Sequence, residues 1–268
     1  MKKKILLLND LPGYGKVALT TAIPLLSRMG HHVFNLPTAL VSNTLDWGKF
    51  HIQDTTDYIK NSLKVWEELD FHFDAVSTGF LASEEQARFL AEYCGKLKEQ
   101  GTLIFADPIM ADNGKLYNGI SDRKILHMKE LVRVADYIVP NYTEAVYLAN
   151  MEYRPNGLTE SEAADLVQNL RKAGASSIAI TSARVEGSPA VITYDASEDR
   201  ITILPYEEVK ARFPGTGDIF SALFMAAILD GQNVSTSAQS AMTTIESMIT
   251  QYQTLPETYK GLPVEQMF

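Results

Sequence analysis

The feature that most constrains this 268-residue chain is a repeated alternation of short apolar runs with longer amphipathic ones. The apolar runs fall at 5–8, 33–36, 75–78, 103–106, 137–139 and 177–181. Between and after them, apolar residues recur at helical spacing over 17–29, 55–69, 84–98, 124–134, 143–149 and 161–173, and glycines at 30 and 101 close two of these segments. Strands with no polar alternation are buried on both faces, the condition of a parallel sheet sandwiched by helices. Repeated strand–helix–strand units predict such a sheet. Two further β-rich runs, 190–194 and 200–204, flank the turn 195–199 and read as an antiparallel hairpin. Helices are expected at 218–229 and 235–252.

Composition supports one folding unit over 1–268. The chain is 46% hydrophobic and 21% charged, enough for a large core, and no low-complexity stretch or linker divides it. With 24 Lys plus Arg against 33 Asp plus Glu, the net charge of −9 argues against a nucleic-acid partner. Cys94 is the single cysteine, so an intramolecular disulfide and a cysteine-rich metal site are excluded. Lys2-Lys3-Lys4 before Ile5–Leu8 resembles the start of a secretory signal, but the apolar run is short and ends at Asn9-Asp10. No stretch approaches membrane-spanning length. A soluble, cytoplasmic protein with no membrane partner is expected.

In open α/β sheets, ligands bind beyond the carboxyl ends of the strands. The residues following each run are therefore the candidate site. They are Asn9 to Lys16, Pro37 to Thr44, Thr78-Gly79-Phe80, Asp107 to Asp112, Pro140 to Glu144 and Thr181 to Arg184. Gly13-Tyr14-Gly15-Lys16 fails the P-loop spacing, because Val17 follows the lysine, and the dinucleotide fingerprint fails at Ala18. The histidines show no zinc-ligand spacing. Asp107, Asp112, Asn141 and Glu144 supply the oxygen donors that Mg²⁺ prefers, and a loose ring of them near a triphosphate suffices.

Phe213-Pro214-Gly215-Thr216-Gly217-Asp218, followed by the apolar stretch Ile219–Leu229, reads as a glycine turn opening onto a helix. Glycines let a ligand approach backbone, and the free N–H groups of a first helical turn attract an anion. A carboxylate beside such a site is a candidate base for a hydroxyl that attacks phosphorus. A tight turn with an acidic helix cap explains the same residues without chemistry; the clustering of polar strand ends favours the first reading.

Together these motifs resemble the ribokinase-like superfamily and, within it, the pyridoxal (vitamin B6) kinases. The resemblance is carried by Gly13-Tyr14-Gly15, Val41-Ser42-Asn43-Thr44, Thr78-Gly79-Phe80, Asp107-Pro108-Ile109-Met110, Pro140-Asn141 with Glu144, Thr181-Ser182 and Gly215-Thr216-Gly217-Asp218. It implies a single-domain α/β three-layer sandwich with a mainly parallel central sheet, and an ATP-dependent kinase of a B6 vitamer's 5′-hydroxymethyl group. Asp218 would be the base, and the backbone of Gly215, Thr216 and Gly217 the anion hole. Asn141 and Glu144 would hold Mg²⁺ largely through water, with Asp107 beside the phosphates and Asp112 near a monovalent cation, K⁺. Tyr117, Thr181 and Ser182 would lie along the nucleotide phosphates, and Phe213 on the adenine side with residues 204–206. Asp10, Tyr14, Ser42, Thr44 and Phe80 would surround the pyridine ring. A homodimer is also implied.

The chain departs from the B6 kinase pattern in two places. Asp10 stands where many members carry serine, and Ser42-Asn43-Thr44-Leu45 replaces Ser-Asn-His-Thr. An aspartate facing the pyridine nitrogen favours its protonated form. Preference among pyridoxal, pyridoxamine and pyridoxine is left open by these residues. So are hydroxymethylpyrimidine as substrate and a catalytically silent nucleotide- or B6-binding protein.

Overall fold

The computed structural model describes residues 2–117 and 123–266, apart from the side chains at 46 and 257. Strand β1 (Lys4–Pro12) shows why its apolar run is unbroken. Ile5 and Leu7 pack into one buried cluster, Leu6 and Leu8 into another, on opposite faces of the sheet. The first cluster takes in α1 (Leu19–Arg28), α7 (Thr216–Leu229) and α8 (Val234–Tyr252). The second takes in α2 (Thr56–Glu68), α3 (Glu84–Glu99), α4 (Arg123–Val134), α5 (Tyr142–Leu148) and α6 (Glu160–Lys172). Helix, sheet and helix form three layers, as expected.

The remaining strands are β2 (His32–Val41), β3 (Ile52–Asp54), β4 (Ala75–Thr78), β5 (Leu103–Ala106), β8 (Tyr137–Ile138), β9 (Ser177–Val185), β10 (Ser188–Asp195) and β11 (Arg200–Pro205). With β1 they form one nine-stranded sheet in the order β11-β10-β9-β8-β5-β4-β1-β2-β3. The six central strands pair in parallel, and both edges are antiparallel. A separate hairpin joins β6 (Ala111–Asp112) to β7 (Lys115–Leu116). The predicted hairpin is β10–β11; β3 and β6–β7 are too short to show a period. From β1 the chain runs outward to β2, then crosses to β4 on the other side. The crevice beyond β1 and β4 is therefore the topological switch point, where open α/β sheets bind ligands.

β1, β2 and β9 run farther than their apolar cores, and β2 and β9 each hold an extra residue near this edge. Asn9 and Leu11 of β1 oppose Pro37 and Leu40 of β2, so β2 holds an extra residue beside Asp10. Ala183 and Ile180 of β9 oppose Ala190 and Ile192 of β10, placing the extra residue at Thr181-Ser182, where Ser182 has φ +56°. Bulges re-aim side chains and often sit beside functional sites. No described helix is long and apolar enough to cross a membrane.

Candidate active site

Helix α7 begins at Thr216, with Gly215 as its N-cap at φ +83°. A Cβ on Gly215 would meet the Lys16 carbonyl oxygen at 2.2 Å, so the 13–18 loop and the start of α7 can touch only through a glycine. A Cβ on Gly217 would meet nothing within 4 Å. That side of the turn faces open space, beside the N–H groups of Thr216 and Gly217, which have no partner within the helix. The first glycine serves the fold and the second leaves room for a ligand.

Asp218 lies in the first turn of α7 and faces the loop before α1. Burial pushes its carboxyl up from 3.8 to about 6, against hydrogen bonds from the Ala18 N–H, the Asn9 side chain and its own backbone N–H. Ala18 is buried and caps α1 at φ +49°, ψ −128°, a conformation that alanine rarely adopts. Strain of this kind persists where the surrounding structure enforces it. Here it turns a backbone donor toward a carboxylate.

The end of β1 supplies the neighbouring groups. Asn9 Nδ2 lies 3.4 Å from Asp218 Oδ1, while Asn9 Oδ1 accepts from the N–H of Asp10 at 3.0 Å and of Phe80 at 2.8 Å. The Asp10 carboxyl is raised to about 7, first by burial and then by the charge of Asp218. Lys124 Nζ sits 5.0 Å above the Phe80 ring and donates to the Leu81 carbonyl, which pins the β4–α3 turn.

On the far side of Asp218, Ser221 Oγ donates to Asp107 Oδ2 at 2.7 Å. Burial and the nearby Asp218 raise Asp107 to about 8 despite that bond. Glu144 is buried, and burial followed by the Asp107 charge raises its carboxyl well above the usual range. Its oxygens already accept from the N–H groups of Met110, Ala111 and Asn141 at 3.0, 3.4 and 2.9 Å. Asn141 and Glu144 form a capping box at the start of α5, and Asn141 Nδ2 also donates to the Ala111 carbonyl at 2.7 Å. Asp112 is paired with Arg212 at 3.2 Å and with Asn113. Burial, then Glu144, Asp112, Asp107 and Asp218, push the Tyr117 phenol above its ordinary range, so that ring sits among the carboxylates. No group of three or more His, Cys, Asp or Glu among the described residues has the arrangement of direct metal ligands.

Asp10, Asp107, Asp112, Tyr117, Asn141, Glu144 and Asp218 thus converge at one edge of the sheet, and a bridge between Asn141 and Thr181 brings β9 to the same edge. Tyr14, Ser42 and Thr44 form a second group. The Thr44 N–H donates to the Tyr14 carbonyl at 3.2 Å, and Ser42 Oγ accepts from the His51 N–H at 2.9 Å. Thr44 Oγ1 is buried with no hydrogen-bond partner among the described residues. The Tyr14 hydroxyl donates to the Thr258 carbonyl, which turns it away from the carboxylates toward the C-terminal segment. Ser182 is exposed on its bulge, and Phe213 packs against the α7 face of the core. No hydrogen bond joins these two to the carboxylates among the described residues.

A cavity of about 20 Å³ lies behind Asp218, lined among others by Asn9, Ser77, Asp107 and Ser221. It holds roughly one water. Ser221 and Ala18 are contacts that sequence reasoning missed, and Asn9 fell within the candidate segment 9–16 without an assigned role. Asn9 had a signal, being the first polar residue after the apolar run 5–8. Ser221 sits one turn after Asp218 in a helix that reads as wholly apolar.

The phosphomethylpyrimidine kinase family pattern matches residues 20–262. A Bacteroides thetaiotaomicron protein described as a phosphomethylpyrimidine kinase, in its crystal form with pyridoxal, superposes with a TM-score of 0.91 at 32% identity, covering 100% of this chain and 94% of that one. The pyridoxal kinase PdxY of Burkholderia orbicola is 26% identical over 269 residues, which is 92% of this chain and 88% of the relative. The Leishmania donovani pyridoxal kinase in complex with ADP and pyridoxamine shares the fold, with a TM-score of 0.82 at 22% identity and coverage of 99% and 94%. A glycine turn at a helix start, a partly buried carboxylate within it and an acidic strand edge beside it suit phosphoryl transfer to an alcohol, and the chain belongs to the phosphomethylpyrimidine kinase family, on the ribokinase-like fold.

Proposed function

We propose that this protein transfers the γ-phosphoryl group of ATP to the 5′-hydroxymethyl group of a B6 vitamer, pyridoxal foremost. The observation that carries the reading is Asp218 in the first turn of α7, beside Asp10 on one side and open space at Gly217 on the other. The relatives support it: the Burkholderia protein is named a pyridoxal kinase and the Bacteroides structure was solved with pyridoxal. ADP in the Leishmania complex supports ATP as donor.

The substrate hydroxyl gives its proton to Asp218 as its oxygen attacks the γ-phosphorus, the bond from that phosphorus to the bridging oxygen breaks and ADP leaves. A carboxyl near 6 is a better-matched base at neutral pH than one near 3.8, while still ionised. The N–H groups at the start of α7 take the growing negative charge of the transferred group. Asp10 faces the ring, where its charge would pair with a protonated pyridine nitrogen.

The donors near the phosphates fit a hard divalent cation. Asp107 and Glu144 are desolvated, repel one another and make no ion pair among the described residues. Because Glu144 already accepts backbone N–H groups, Mg²⁺ would be held there largely through water. When bound it neutralises phosphate charge. Asp112 would take K⁺ only by exchanging Arg212. A single kinase domain, a homodimer and a cytoplasmic location belong to the same proposal.

A coupled ADP-release assay with pyridoxal, pyridoxamine, pyridoxine and hydroxymethylpyrimidine tests it. Turnover of the B6 vitamers is expected. Turnover of hydroxymethylpyrimidine alone would move the substrate to the pyrimidine class. Tight binding without turnover would make the protein a silent binder.

A further inference from the structure

We infer that Asn9 is a positioning residue that ties the ring-binding turn to the catalytic carboxylate. This rests on the kinase reading of Asp218. The amide of Asn9 is oriented by its surroundings: two backbone donors, the N–H groups of Asp10 and Phe80, converge on one side-chain atom at 3.0 and 2.8 Å. Only the oxygen can accept them, so the nitrogen must face Asp218 Oδ1. The flip ambiguity of an amide side chain is thereby removed.

Room for this arrangement is made by Gly79. A Cβ there would lie 2.4 Å from Asn9 Cγ and 2.5 Å from both Nδ2 and Oδ1. Asn9 has the same parity along β1 as Ile5 and Leu7, which carries its side chain to the α7 face. One side chain thus links the ends of β1 and β4 to the start of α7, across sequence separations of 71 and 209 residues.

Asp10 and Phe80 are the two ring-side residues whose backbone holds the amide. A ring that displaces either backbone moves the amide and, with it, the one side-chain donor to the base among the described residues. The 3.4 Å separation shortens as substrate seats, in the manner of catalytic hydrogen bonds that tighten only in the ternary complex. Recognition of the ring and orientation of the base are therefore one event.

The test is a double-mutant cycle read in kcat and in KM for each substrate. Asn9→Ala is expected to lower kcat about 10–100-fold with KM for ATP changed less than about twofold, and to have almost no effect in the Asp218→Asn background. Asn9→Asp keeps an acceptor for Asp10 and Phe80 but sets a second carboxylate against Asp218, so it should lower kcat at neutral pH and move the rise of kcat to higher pH. An equal loss from Asn9→Ala in both backgrounds, or a wild-type kcat in Asn9→Asp, overturns the inference. Wild-type protein that turns over no hydroxymethyl substrate refutes the kinase reading instead. The Asn9 inference is then judged from the crystal structure of Asn9→Ala with pyridoxal. Displacement of Asp218 or of the 79–80 turn supports it, and unchanged positions of both refute it.

Discussion

Replacing Asp218 by asparagine separates two consequences of one buried charge. Burial raises the carboxyl from 3.8 to about 6, even with three hydrogen bonds opposing the rise. The difference between those values corresponds to about 3 kcal/mol by which the ionised form is disfavoured in the folded protein. The folded-state value lies above the unfolded one, so the folded state binds the extra proton between about pH 4 and pH 6. Stability from this group therefore falls as pH rises through that window and stays low above it. Asparagine keeps the shape, carries no charge at any pH and preserves one acceptor oxygen for the Ala18 N–H or the Asn9 amide. Asp218→Asn is expected to stabilise the unliganded protein by about 1–3 kcal/mol at pH 8 and by less than about 1 kcal/mol at pH 4. Turnover should fall by about 10²–10⁴-fold, the usual contribution of a positioned general base. Urea unfolding at the two pH values measures the first effect, and ADP release the second. An equal change in stability at both pH values would refute the burial argument. Near-normal turnover would refute the assignment of the base.

Further outcomes follow from the same geometry. Gly215→Ala should destabilise the protein by about 2–5 kcal/mol in urea melts, because it combines a positive φ with a clash at the Lys16 carbonyl. Gly217→Ala should melt within about 0.5 kcal/mol of wild type, yet lose turnover as the new methyl enters the space left for phosphate. Thr44→Val removes a buried hydroxyl with no partner among the described residues, so the unliganded protein should gain about 1 kcal/mol while KM for pyridoxal rises. Asp10→Asn should raise KM for pyridoxal about tenfold and leave KM for ATP within about twofold, as expected for loss of one charged contact. Equal rises in both KM values would show that Asp10 shapes the whole site rather than the ring pocket.

Much of this architecture was legible along the chain because burial on both faces leaves a plain mark. The runs at 5–8 and 103–106 are unbroken because each strand meets helices above and below. The hairpin β10–β11 was legible from its spacing, and the turn at 215–218 from its glycines. The limits of β2 and β9 were not, because both continue through polar residues and a bulge that only the neighbouring strand supports. Asn141 and Glu144 matched metal donors by residue type. In the fold they first complete a capping box, and their oxygens are largely committed to backbone.

The sequence by itself determined the sheet, its layers and the helix whose first turn carries Asp218, because strand burial and helix starts depend on neighbours a few residues apart. Tertiary structure alone decided that Asn9 meets Asp218, that Ser221 meets Asp107, and that Asp10, Asp107 and Glu144 share one poorly hydrated edge. Those relations set the acidity and aim of the candidate base. They depend on distances between strands and helices that no local pattern encodes, since desolvation and Coulomb repulsion act through space rather than along the chain.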